Sequence, residues 1–121
     1  NHPCAIWVRS NMSNYTWLCM LGRELCSEYT RRYGKHHKTS EIITWCCDNH
    51  PNIPEGIFFD PPLAMPDECK IPNNSLASYH KYYIERKSHF AKWSNRDIPK
   101  WYQEGLLDLL VQDNQAIGLY D

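Results

Sequence analysis

The sequence lacks any apolar run near the roughly 18–20 residues that a bilayer-spanning helix needs, which excludes an integral membrane protein of the helical kind. It is poor in glycine, with five residues in 121, and none is set in a P-loop or a dinucleotide-binding turn. No Ser-His-Asp spacing is present. A Cys-His nucleophilic pair stays open, because such partners meet only in three dimensions. The chain opens Asn1-His2-Pro3-Cys4, with neither a Met nor the basic and apolar stretches of a signal peptide, so Asn1 reads as a processing or fragment boundary.

What is present is the composition of one globular domain over residues 1–121, with a core over 1–112 and a tail over 113–121. Hydrophobic residues make up 42% and charged residues 22%. Eight Tyr and five Trp pair an apolar body with a polar tip, which suits core edges and binding surfaces alike. The net charge of −1 hides a segregated pattern. Arg23 to Lys38 holds five Lys/Arg against two Glu, and His80 to Lys100 holds six against Glu85 and Asp97. Asp48 to Glu68 carries five acids and no Lys/Arg, and Glu104 to Asp121 four and none. Such alternation builds a basic face on a neutral protein, or merely solvated helix faces.

The six cysteines are even in number, and three sequons begin at Asn11, Asn14 and Asn73, as in a secreted disulfide scaffold. Cys19 and Cys26, however, stand two turns apart in a helical pattern, where free Cys acts as a small buried hydrophobe. Cys46 and Cys47 are adjacent, a strained setting for a mutual bridge. Free thiols are the favoured reading. Zinc needs four ligands, usually from two tight pairs, and Cys47 with His50 is one loose pair, so no metal and no cofactor is expected.

Helix punctuation is clear. Pro3, with Asn1 or His2 as cap, starts a short helix to about Arg9. Tyr15, Leu18, Leu21, Leu25 and Tyr29 recur at helical spacing, and the helix should stop near Tyr33 with Gly34 as its left-handed end. A third helix follows Thr39, with Ile42, Ile43, Trp45 and Cys46 on its buried side. Residues 49–74 hold six of the eight prolines and form a long extended loop, which is functional or wraps the core. A fourth helix runs from Asn74 or Ser75 to about His89, with Leu76, Tyr79, Tyr83 and Phe90 in one stripe. Asp97 caps a fifth, with Pro99 in its first turn and Trp101, Leu106, Leu109 and Leu110 apolar. The fold class is all-α, a compact bundle of about five helices.

Three groups hold side chains that can do chemistry. In residues 28–37, Glu28, Arg31, Arg32 and Lys35 share one side of a helix end, beside Tyr33 and His36. That is a salt-bridged surface, or an edge that grips phosphate while aromatic faces stack on unpaired bases. Glu28 among cations would stay ionised and is the one catalytic candidate. His2, Trp7 and Arg9 form a second group, with His2 as a cap or buried residue before a catalytic one. Tyr79, His80, Tyr82, Tyr83, Arg86, Lys87, Lys92 and Trp93 form the third.

The string Asn1-His2-Pro3, Trp7-Val8-Arg9, Asn14-Tyr15-x-Trp17-Leu18 and Glu28-Tyr29-Thr30-x-Arg32-Tyr33-Gly34-Lys35-x-His37 resembles a family of small phage and bacterial proteins. Ala64-Met65-Pro66-Asp67-Glu68 and Tyr79-x-x-Tyr82-Tyr83 with Lys87, Lys92 and Trp93 fit the same pattern, so the match covers residues 1 to about 102. That family is distantly similar to pyrimidine-dimer DNA glycosylases of the phage endonuclease V type. The resemblance implies DNA or RNA as partner and the cytoplasm of an infected or bacterial cell as location. Taken with the segregated charge, it leads to the expectation of a phage-type nucleic-acid-binding protein that contacts phosphates through Arg9, Arg31, Arg32, Lys35 and the Arg86–Lys92 stretch. Such glycosylases use an N-terminal α-amine as nucleophile with a Glu in the first helical segment, and the resembling phage and bacterial proteins carry a further helical region before Asn-His-Pro. Neither carries over to a chain that begins at this motif, so a separate segment supplies them or the chain is a non-catalytic relative. The alternative is an interaction or virion-associated protein whose aromatic surface docks on another protein.

Overall fold

In the computed structural model the described residues are 2–116, with side chains described to residue 112. They form five α-helices and one 3-10 turn, so the all-α class expected from the sequence is what the chain adopts. The chain divides into two compact units, Asn1–Pro62 and Leu63–Asp121, with the boundary inside the proline-rich segment.

The first unit contains α1 (Pro3–Val8), α2 (Met12–Tyr33) and α3 (Ser40–Asp48). His2 caps α1: its Nδ1 accepts from the Cys4 N–H at 3.0 Å, while Pro3 occupies a first-turn position whose missing N–H costs nothing. The alternative cap, Asn1, lies outside the described residues. Asn11 caps α2 by accepting from the Asn14 N–H at 2.9 Å. Gly34 ends α2 at φ 68°, the left-handed conformation glycine adopts without steric cost, and its N–H reaches the Thr30 carbonyl at 2.8 Å.

What joins these pieces is polar. Asn14 is fully buried; its amide donates to the Trp7 carbonyl at 2.9 Å and its Oδ1 accepts from the Phe59 N–H at 3.3 Å. Asn11 donates to the Ile57 carbonyl at 3.1 Å, Ser13 to the Gly56 carbonyl at 2.6 Å, and the Trp7 indole to the Phe59 carbonyl at 2.8 Å. The Met12 N–H reaches the Pro54 carbonyl at 2.8 Å. Residues 54–59 are thus the part of the long loop that wraps this core. Gly56 lies so close that a Cβ there would sit 2.7 Å from that of Asn11. Two of the three sequons therefore have their asparagines locked inside this network.

Against α3, α2 presents Tyr15, Cys19, Gly22 and Cys26 rather than its leucines. The Tyr15 hydroxyl donates to the Cys46 carbonyl at 2.7 Å, and a Cβ on Gly22 would meet Ile43 Cγ2 at 3.1 Å. Small residues let two helices approach, so they win the contact over bulkier neighbours. Two sequence expectations change as a result. Leu18, Leu21 and Leu25 are exposed, and on α3 only Ile43 and Cys46 of the expected buried set turn inward, while Ile42 and Trp45 are 63% and 62% exposed.

The second unit holds the 3-10 turn Asp67–Cys69, α4 (Ser75–Arg86) and α5 (Lys100–Ala116). Asn74 caps α4, accepting from the Ala77 N–H at 3.1 Å. Ser78, fully buried, accepts from the Ile71 N–H at 2.8 Å and donates to the Asn74 carbonyl at 2.7 Å, tying the turn onto the helix. Cys69 and Tyr102 complete the buried set. Gly105 lets α5 meet α4, because a Cβ there would overlap the Ile84 side chain. The packed side of α4 carries Ser78 and Ile84. Leu76, Tyr83 and Phe90 of the expected stripe are exposed. The helix ends at Arg86 instead of His89, and α5 begins at Lys100, so Pro99 stands just before it and Asp97 is too far upstream to cap it. Helix α5 continues to Ala116, so residues 113–116 of the expected tail are helical, and 117–121 lie outside the described residues.

Replacing Asn14 by Ala would leave the Phe59 N–H without its acceptor, worth about 1–3 kcal/mol when buried unsatisfied, and would leave the Trp7 carbonyl with the Ser10 N–H alone, at 3.2 Å. Urea unfolding followed by Trp fluorescence should show Asn14→Ala losing about 1–3 kcal/mol. A loss below about 0.5 kcal/mol, the level of an ordinary surface change, would contradict the role assigned to this side chain.

Candidate nucleic-acid interface

The C-terminal end of α2 and the turn into α3 gather Arg31, Tyr33, Lys35, His36 and Lys38, all exposed. Gly34 ends the helix there in the left-handed conformation, so the cations after it follow directly on those of its last turn. Tyr29 anchors the group from beneath: its ring lies 4.9 Å from Tyr33 and 4.8 Å from His37, the latter edge-on. His37 in turn meets the Thr39 N–H with Nδ1 at 3.1 Å, which steadies the turn. Tyr33 remains 54% exposed, enough for one face to receive a flat ring.

Arg32 behaves differently. Its Nε donates to Glu28 Oε2 at 2.7 Å, and both side chains are largely covered. Glu28, the one catalytic candidate, is therefore committed to an ion pair along the helix, and that pair sets the orientation of Arg32. Arg9 is not brought to this group. It follows α1, and α1 packs at the opposite end of α2 through the Asn14 bond to Trp7. From residue 13 to residue 33 the helix rises roughly 30 Å at 1.5 Å per residue. The same length separates the basic tip from Glu55 and the rest of the segment wrapped over Asn11, Ser13 and Asn14.

In the second unit the expected cations are more engaged. Arg86 Nη2 lies 3.6 Å from Glu68 Oε2 across to the 3-10 turn, with both groups half-exposed. Lys87 Nζ sits 5.0 Å from the Tyr82 ring centre and 5.2 Å from that of Phe90, a cation–π placement that half-buries it. Lys92 is exposed, in the segment between α4 and α5. Of the third aromatic group, Tyr83 is exposed, while His80 and Trp93 are packed at this unit's interior edge. Trp93 packs on Tyr102 at 4.5 Å, and His80 lies flat on Trp101, with centroids 3.8 Å apart and planes 2° apart.

Sequence reasoning passed over Lys38 as a site residue, although it stood in the counted basic stretch. It also passed over the stack of His80 on Trp101. That pair is joined only by the fold, and no spacing rule links residues 21 positions apart. Among the described residues no three His, Cys, Asp or Glu side chains are placed to hold a metal ion, and no helix is long and apolar enough to cross a membrane. The chain matches no family model, no curated protein and no solved structure.

Burial holds the His80 pKa below its ordinary value. The imidazole borders a groove of ≈ 370 Å³ lined also by Lys81, Glu85 and Asp108, so protons reach it. With the folded value depressed, the unfolded chain takes up the proton first as pH falls below about 6.5, and the fold loses stability through that range. Thermal unfolding should fall between pH 7 and pH 5, with the acid loss reduced in His80→Gln. An unchanged pH profile in the variant would refute the assignment.

Proposed function

We propose that this chain is a nucleic-acid-binding module that grips backbone phosphates at the end of α2 through Arg31, Lys35 and Lys38, with His36 beside them and Tyr33 as a flat contact. The observation that carries this reading is the clustering of these exposed side chains at one end of the first unit, roughly 30 Å along α2 from the segment that holds Glu55. The C-terminus of a helix is the negative end of its dipole and does not attract an anion by itself. The side chains must supply the attraction, so the binding is of the sequence-independent, salt-sensitive kind. On this reading Arg32 is a support held by Glu28, Arg9 is outside the contact, and Arg86, Lys87 and Lys92 form a separate basic group on the second unit. The resemblance to base-excision DNA glycosylases favours damaged DNA in an infected or bacterial cell as the setting, with the chain supplying phosphate contacts to such a protein.

A second reading, an interaction or virion-associated protein, is favoured by a different observation. Leu18, Leu21 and Leu25 are 41%, 38% and 60% exposed on α2, next to an exposed Ile42 on α3. Apolar side chains in a row mark a surface that another protein covers.

The two readings separate by salt. Fluorescence anisotropy with a short duplex should give a dissociation constant of roughly 10⁻⁴–10⁻⁶ M near physiological salt. With three phosphates neutralised, the logarithm of affinity should fall against that of salt with a slope of about −2.7. Arg31→Ala with Lys35→Ala should reduce the slope by about 2 units. No affinity at low salt, alongside a salt-insensitive protein partner, would replace the first reading with the second. Borohydride trapping of a Schiff base on damaged DNA would show that the chain itself reacts.

A further inference from the structure

We propose that Cys19 and Cys47 are a disulfide-forming pair that staples α2 to α3 when the protein meets an oxidant such as glutathione disulfide. This goes beyond phosphate binding and does not depend on it. The register of the two antiparallel helices carries the proposal. Gly22 lies against Ile43, and Tyr15 meets His50 edge-on with ring centres 5.8 Å apart. Moving one turn from the first contact toward the second, back along α2 and forward along α3, arrives at Cys19 opposite Cys47. The Cys47 thiol donates to the Cys19 carbonyl oxygen, with Sγ 3.8 Å from it, so the Cys47 sulfur already lies against the Cys19 residue. The close approach of Gly22 to Ile43 lies one turn from this pair, and a disulfide asks for just such closely packed backbones. Cys46 is turned about 100° away around α3, Cys26 stands two turns further along α2, and Cys69 is fully buried in the second unit.

The Cys19 thiol is pushed up to about 11, first by burial and then by its hydrogen bond with Cys47. It holds little thiolate at neutral pH and is the resolving partner. The Cys47 thiolate attacks one sulfur of glutathione disulfide, forming a mixed disulfide and releasing one glutathione thiolate. Cys19, losing its proton, attacks the Cys47 sulfur and releases the second glutathione. Two protein thiols are oxidised by two electrons, one glutathione disulfide becomes two glutathiones, and the two protons end on the released thiolates. The closed loop contains the whole basic tip, Arg31 to Lys38, and constrains the unfolded chain more than the folded one.

The full chain is incubated with glutathione disulfide at pH 8, alkylated, digested without reductant and mapped by mass spectrometry. The proposal expects loss of two of the six thiols, a peptide joined through Cys19 and Cys47, and a melting temperature raised by more than about 5 °C. Cys46→Ser should keep the bridge and Cys47→Ser should abolish it. Because the wild-type map stands alone, a variant that fails to fold does not block the test. A bridge through Cys46, cross-linking only between molecules, six surviving thiols, or an intact Cys19–Cys47 bridge with no gain in melting temperature would overturn the proposal. None of these readouts involves nucleic acid, so the outcome is separate from that of the phosphate-binding reading.

Discussion

The first unit depends on one buried amide. A six-residue helix does not persist alone in water, and residues 54–59 have no sheet or helix partner to satisfy their backbone. Asn14 solves both problems from inside α2, by donating to the last turn of α1 and accepting from the backbone of residue 59. Asn11 and Ser13, one residue beyond the start of the helix on either side of Met12, extend the same bonding to Ile57 and Gly56. The core is therefore built around hydrogen-bonded backbone with Trp7 laid over it. Trp7 has Trp17 and Phe58 packed edge-on at 5.7 and 5.9 Å. Because polar bonds carry the joining, few large apolar side chains are needed inside, and several remain outside on α2 and α3.

The elements were legible in the sequence where a residue has one backbone role. Pro3 and His2 mark the start of α1, Gly34 the end of α2, and Asn74 the start of α4. Each follows from a missing donor, a tolerated positive φ or a side-chain acceptor aimed at an orphan N–H. The packed faces were much less legible. On α2 two stripes overlap, Leu18-Leu21-Leu25 and Tyr15-Cys19-Gly22-Cys26, and hydropathy favours the first while close helix approach selects the second. The same error recurs on α4, where Ser78 is fully buried because it satisfies Ile71 and Asn74, and Leu76 is left outside. Nothing in the residue pattern announces that an Asn or a Ser will hold a core. Of the candidate site, Arg31, Tyr33, Lys35 and His36 are brought together as neighbours in sequence must be. Arg9, Arg86, Lys87 and Lys92 depended on tertiary placement, which periodicity does not supply.

Helix α2 links packing to the proposed function as a strut. Its first turn is fixed by the asparagine network, its middle by α3, and its last turn presents cations around a left-handed glycine. A group held this way is displayed with little loss of order on binding, and it is kept away from the acids that wrap the other end. Glu28 contributes by occupying Arg32, so that of the two adjacent arginines one stiffens the helix end and the other remains exposed. The exposed leucines lie on the flank between these two ends, a separate surface whose occupancy would not compete with phosphate at the tip.

The most direct measurement of the central claim is a residue-resolved one: backbone amide chemical shifts of the isotopically labelled chain, titrated with a short oligonucleotide at low salt. Shifts should concentrate in residues 31–38 of the first unit, with the amides of Leu18, Leu21 and Leu25 unmoved. Shifts centred on those leucines, or none around Arg31 and Lys35 at saturating nucleic acid, would contradict that claim.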